Sequence, residues 1–174
     1  MLSQKTRYAI RALQHLADRY GGGLVQLSEI AEKQNIPPKF LTVILSELAR
    51  YGIVASSRGR DGGYALALAP IDISYGDLVR ILRGSLALVP CASRYAHEKC
   101  RNCVAEGECR TRALMLMVRD QTAALLDSIS LADPIDLASA FEAVGAVEGG
   151  CLVALPISAS HSTGQTHGFP RVGH

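Results

Sequence analysis

The sequence predicts a mainly α-helical fold with a small β-hairpin wing: a winged helix-turn-helix followed by a long dimerisation helix. Three observations carry that prediction. Between Leu27 and Tyr64, two apolar stripes at helical spacing are separated by a double proline and followed by two strand-like runs around a basic, glycine-rich tip. Residues 110–130 hold the longest helical pattern in the chain. Between these two regions, four of the five cysteines lie within Cys91 to Cys109.

The first element is a helix over residues 4–20, with Tyr8, Ala9, Ala12, Leu13, Leu16 and Tyr20 on its buried side. Lys5, Thr6, Arg7 and Arg11 gather at its start, a set able to meet phosphates, while His15 reads as a surface residue. Gly21 to Gly23 end the helix. Leu27, Ile30 and Ala31 then mark one short helix, and Phe40, Leu41, Ile44, Leu45 and Leu48 mark the core face of the next. Pro38 begins that second helix at little cost, because its missing amide would be orphaned there in any case.

With this stripe buried, the opposite face shows Pro38, Lys39, Thr42, Val43 and Ser46, a small polar and basic surface suited to a major groove. Residues 53–56 and 64–68 read as strands. Arg58 and Arg60 lie between them, placed for a minor groove or for phosphates. Next comes a helix over residues 74–84, capped by Ser74 and stopped by Gly84, with Leu78, Val79, Ile81 and Leu82 inward.

The cysteines Cys91, Cys100, Cys103 and Cys109 follow a C-x8-C-x2-C-x5-C pattern. Clustered thiols in a reducing compartment point to metal binding or redox chemistry rather than to permanent bridges. Three readings stand side by side: an iron-sulfur cluster, which tolerates irregular spacing; a structural zinc, which usually uses two C-x2-4-C pairs where this loop has one; and metal-free redox thiols. His97 could serve the first two as a spare ligand, but a lone loop histidine reads first as a solvated side chain. In the helix that follows, Leu114, Met117, Val118 and Leu125 form a stripe with further apolar residues on its flanks. That is more surface than one domain covers, so a homodimer pairing these helices, with Gln121 on the same face, is expected.

Residues 1–60 carry nine Lys or Arg against four Asp or Glu, a charge of +5, while residues 61–174 carry nine against twelve, a charge of −3. The basic half holds the helix-turn-helix, which points to double-stranded DNA as the partner. No apolar run nears the roughly 20 residues of a membrane span, and the N-terminus lacks a secretory plan, so a cytoplasmic protein with no membrane partner is expected. There is no phosphate-binding glycine loop, no HExxH and no nucleophile-base spacing, so neither an enzyme nor a small-molecule substrate is expected. From Gly149 onward Gly, Ser, Thr, His and Pro dominate and the chain is expected to be largely flexible. Cys151 is isolated there, and His161, His167 and His174 are read as tail residues.

The motifs resemble those of the Rrf2 (Rrf-two) family of bacterial winged-helix regulators over residues 1–133. The likeness rests on SQKTRYAIRAL, on VQLSEIAEKQNIPPKFLTVILSELARYGIVASSRGRDGGYAL, on the cysteine loop with its long helix, and on the closing SISLADP. The string RGRDGGY is close to the family's R-G-x-G-G-G-Y. What the resemblance implies is a regulator, dimeric through crossed long helices, whose operator affinity responds to a 2Fe-2S or 4Fe-4S cluster. Three loop cysteines, here Cys91, Cys103 and Cys109, hold that cluster together with a fourth ligand that varies. IscR-like members place a histidine where this chain has Arg112, and NsrR-like members an aspartate where it has Arg7. Cys100, inserted in a longer gap between Cys91 and Cys103, is therefore assigned the fourth position. A metal-free thiol switch and a zinc-stabilised repressor are the alternatives on the same fold. The expected division is 1–84 for DNA binding, 85–109 for the sensor loop, 110–133 for the dimerisation helix and 134–174 for the C-terminal segment.

Overall fold

The computed structural model describes residues 2–135; the C-terminal stretch with Cys151, His161, His167 and His174 lies outside the described residues. In chain order the elements are α1 (Gln4–Asp18), α2 (Leu27–Lys33), α3 (Pro38–Arg50), β1 (Val54–Ser57), β2 (Gly63–Leu66), α4 (Tyr75–Arg83) and α5 (Arg110–Asp127). Single 3-10 turns lie at Pro70–Asp72 and Pro90–Ala92.

Capping chemistry explains most of the boundaries. Ser3 Oγ accepts from the Thr6 amide at 3.1 Å and opens α1. Thr6 is fully buried and bonded to Ser3, so it belongs to the cap and core and not to the basic group in which the sequence placed it. The turn between α2 and α3 is a Schellman motif. The Ile36 amide reaches Ala31 O at 2.9 Å and the Asn35 amide reaches Glu32 O at 3.2 Å, with Asn35 left-handed at φ 48°. Ile36 is buried beneath this turn, so the angle between the two helices is held by packing as well as by hydrogen bonds. The same device ends α3: the Ile53 amide meets Leu48 O at 3.1 Å, the Gly52 amide meets Ala49 O at 3.0 Å, and Gly52 takes φ 72°. The chain is thereby turned directly into the hairpin.

β1 and β2 pair antiparallel, Val54 opposite Leu66 and Ser57 opposite Gly63. Val25 adds to the hairpin's edge by exchanging two 2.8 Å bonds with Tyr64. A Cβ on Gly63 would stand 2.5 Å from the Val25 carbonyl oxygen, so this position requires glycine. Ser74 caps α4 reciprocally with Asp77, accepting from its amide at 3.1 Å and donating to its carboxylate at 2.7 Å. After α5 the chain returns to α4: the Tyr75 amide donates to Ile129 O and the Leu131 amide to Ile73 O, both at 2.9 Å.

Arg80 clasps Asp127 through two 2.7 Å bonds, which hold the guanidinium still more firmly protonated. Gly76 makes room for this clasp, since a Cβ there would come within 1.8 Å of Asp127 Oδ1. The core gathers Leu13 and Leu16 of α1, Ile30 of α2, and Leu41, Ile44, Leu45 and Leu48 of α3, with Ile53, Ile73, Leu78 and Leu131 closing it.

The structure corrects three burial expectations. Tyr20 is 54 % exposed, because α1 stops at Asp18 and Gly21, at φ 80°, takes the chain off the apolar stripe. Phe40 is 63 % exposed: the buried stripe of α3 runs through 41, 44, 45 and 48, and Phe40 falls on its flank, one turn from Val43. His15 is not a free surface residue; its side chain is largely covered, with Nε2 3.2 Å from Glu29 Oε1.

Candidate nucleic-acid interface and cysteine cavity

Pro38, Lys39, Thr42, Val43 and Ser46 are all exposed along one side of α3, and none is packed beneath another part of the described chain. Thr42 donates its hydroxyl back to Pro38 O at 2.9 Å, which leaves its methyl as the group free for a partner. Arg58 and Arg60 are exposed at the hairpin tip. The tip is shaped by Gly59 at φ 115° and by Gly62, where a Cβ would meet Ser57 O at 2.4 Å. Among the described residues Arg7, Lys39, Arg58 and Arg60 have no side-chain hydrogen bond or ion pair, so their charge is available to a partner.

Two other N-terminal cations are engaged inside the molecule. Lys5 sits 2.5 Å from Glu47 of α3, and Arg11 donates to Gln34 O at the C-terminal end of α2. The first bond ties the start of α1 to α3. The second places a cation where the α2 carbonyls lack helical partners.

All four loop cysteines line one cavity of about 300 Å3, together with Lys99, Glu106 and Arg112. They reach it from different local structures. Cys91, buried, sits in the 3-10 turn; Cys100 and Cys103 are exposed on either side of a bend where Asn102 is left-handed at φ 56°. Cys109 caps α5, its sulfur accepting from the Arg112 amide at 3.4 Å. The Cys100 thiol is pushed up to about 11, first by its hydrogen bond with Cys91, then by burial, then by the charges of Cys91 and Cys103.

Among the described residues no group of three or more His, Cys, Asp or Glu is arranged to hold a metal ion. A tetrahedral zinc needs four ligands about 2.3 Å from one point, whereas a cluster spreads its thiolates over several irons and accepts a wider set. His97, the spare ligand of the sequence reading, lies 3.0 Å from Glu106 Oε1.

Two arginines tie the cavity to α5, and sequence reasoning passed over both in this role. Arg112 Nε donates to Cys91 O at 3.0 Å, and Arg119 Nη1 donates to Ala92 O at 2.5 Å. They are seven residues apart, two turns along one helix face, and that spacing is the signal in the sequence. Arg119 also holds Asp120, lowering its carboxyl below the ordinary range, and Arg94 reaches the same carboxylate at 3.1 Å. On its other side α5 shows Leu114, Met117, Gln121 and Leu125 exposed and Val118 half-buried; no residue of this helix is fully buried.

A family model described as Rrf2, iron-dependent transcriptional regulator, matches residues 2–136. The chain belongs to the Rrf2 family. It is 42 % identical over 136 residues to an rrf2-like HTH-type transcriptional regulator of Rhodobacter capsulatus, covering 76 % of this chain and 91 % of that protein. It is 33 % identical over 132 residues to the regulator IscR of Aliivibrio salmonicida, covering 76 % and 75 %. Among solved structures it resembles CymR, the global cysteine regulator of Bacillus subtilis, with a TM-score of 0.64, 31 % identity, and 76 % and 94 % coverage. It also resembles T. potens IscR, with a TM-score of 0.59, 29 % identity, and 87 % and 93 % coverage. This Rrf2 protein is thus a winged-helix transcriptional regulator that acts by binding DNA and not as an enzyme. No described helix is long and apolar enough to cross a membrane.

Proposed function

We propose that this Rrf2 regulator binds double-stranded DNA as a homodimer, with an operator affinity set by an iron-sulfur cluster on Cys91, Cys100, Cys103 and Cys109. The observation that carries the reading is the single cavity shared by the four sulfurs at the N-terminal end of α5. When bound, a 2Fe-2S or 4Fe-4S group supplies a centre sensitive to oxidants, nitric oxide or iron and sulfur supply. The chain's own residues do the rest. Cys91 and Ala92 are gripped through their carbonyls by Arg112 and Arg119, so a shift of the Cys91 turn is passed to α5. Ile129 and Leu131, bonded to the start of α4, carry the far end of that helix back to the DNA-binding core.

The exposed stripe of Leu114, Met117 and Leu125 is the surface on which a second copy would pair, and repositioning the pair alters the spacing of the two α3 helices. A coupling of about 1 to 3 kcal/mol suffices to change operator affinity roughly 5- to 150-fold.

A metal-free thiol switch is the second reading, favoured by Cys91 and Cys100 lining the same cavity. Protein purified without oxygen separates the two. The cluster reading expects visible absorption with iron and acid-labile sulfide in equal amounts, diminished in Cys100→Ala. Iron-free, colourless protein would overturn it, and unchanged absorption in Cys100→Ala would remove that residue from the ligand set. For the DNA face, Lys39→Ala and Arg58→Ala should each weaken binding to DNA selected from a random pool and reduce the salt slope by about 1 where the lost contact was a phosphate.

A further inference from the structure

The exposed side of α3 is more apolar than a base-reading helix built on hydrogen bonds. From Pro38 to Ser46 it has no Asn, Gln, Arg, Asp or Glu, so Lys39 alone in that stretch can pair with a guanine edge and no side chain there can make the bidentate bonds that read adenine. Phe40 and Val43, one turn apart, are each 63 % exposed. The hydroxyl of Thr42, between them, is turned back to Pro38 O. Large exposed apolar side chains at the start of a recognition helix call for an apolar partner, and in a major groove that partner is the C5-methyl of thymine. The surroundings fit DNA rather than a protein surface: Lys39 on the same turn and Arg58 and Arg60 on the wing are cations with no partner among the described residues.

We infer that Phe40 and Val43 read thymine methyl groups, so that operator specificity rests on methyl contacts while Lys39 and the wing supply the phosphate grip. This rests on α3 being the helix that enters the groove, as proposed above. A half-site with thymine opposite the first turn of α3 follows. Removing one methyl should cost about fourfold in affinity, the effect of exposing one buried methyl-sized group, and about fifteenfold when both half-sites of a dimer are altered.

The test is deoxyuridine substitution. DNA is selected from a random pool by the full-length protein, and each thymine of the selected site is replaced singly by deoxyuridine, which keeps every base-pairing atom and lacks only the methyl. The expected result is a fourfold loss at one or two positions per half-site for the wild-type protein. Phe40→Ala should bind thymine and uracil alike at the position Phe40 reads, and Val43→Ala at the position Val43 reads. Both side chains are exposed, so the melting temperatures should match that of the wild type. Uniform tolerance of uracil by the wild type, or undiminished discrimination by Phe40→Ala, overturns the inference while leaving DNA binding intact. A protein that selects no DNA overturns the α3 reading as well. A change in sedimenting mass in Phe40→Ala assigns the patch to self-association and overturns the methyl contact.

Discussion

Arg119→Ala removes the guanidinium that joins α5 to the turn carrying Cys91. The Arg119 side chain is 12 % exposed, and its bond at 2.5 Å goes to the carbonyl of Ala92, a fully buried residue. Solvent screens such a bond little. A hydrogen bond from a charged donor contributes about 1.5–3 kcal/mol, and the alanine variant also leaves a buried acceptor without a partner. Loss of about 2 kcal/mol is therefore expected, or a fall of about 8 °C in melting temperature for a folded unit of this size. Circular dichroism of metal-free protein measures it, with protein concentration fixed because any self-association would shift the midpoint. Arg119→Lys keeps the charge but not the fork that spans Ala92 O and Asp120, so it should recover only part of the loss. A loss below about 0.5 kcal/mol in the alanine variant, the range of ordinary surface changes, would refute the view that this bond anchors the loop to the helix.

Two further outcomes follow from the same geometry. In reduced, metal-free protein the Cys100 thiol, pushed up to about 11 by Cys91, should react with a disulfide reagent at pH 8 about tenfold more slowly than a cysteine with an ordinary thiol. Thiolate is scarcer by about a hundredfold and its greater nucleophilicity offsets roughly eightfold of that. The rate should rise with pH and inflect near 11, returning toward 9 in Cys91→Ser; peptide mass mapping reads this, and an inflection at 9 in the wild type counts against the thiol contact. Met117→Glu puts a charge on the exposed α5 stripe at the cost of little in a monomer, since Met117 is 66 % exposed. In a two-fold dimer it loses two buried side chains, and dissociation should strengthen by at least about a hundredfold. Sedimentation that stays at the wild-type mass would mean that the helices do not pair through this face.

The fold was legible because its signals are local. The double proline, the stripes of α1 and α3, Ser74 three residues before Asp77, and glycines at 52 and 84 each act through neighbouring backbone, where side-chain type dictates conformation. The convergence of four sulfurs was only partly so. Cys100 and Cys103 are close in sequence, but Cys91 joins them because the loop folds back on α5, which spacing cannot encode.

The failures share a cause. Phe40 belongs to the apolar stripe by periodicity, yet burial depends on which neighbours cover a helix flank, and among the described residues that flank stays exposed. Thr6 was grouped with the polar and basic residues at the start of α1, but it is a buried part of the cap. By itself, then, the sequence determined the helix-turn-helix, the wing, the cysteine loop and the family, since each is written in short-range patterns of chain stiffness and hydropathy. Only the tertiary structure decided the partners of Arg80, Arg112 and Arg119, the room kept by Gly76 and the exposure of Phe40. Those depend on groups up to 47 residues apart in the chain meeting at hydrogen-bond distance, and no local periodicity specifies such a meeting.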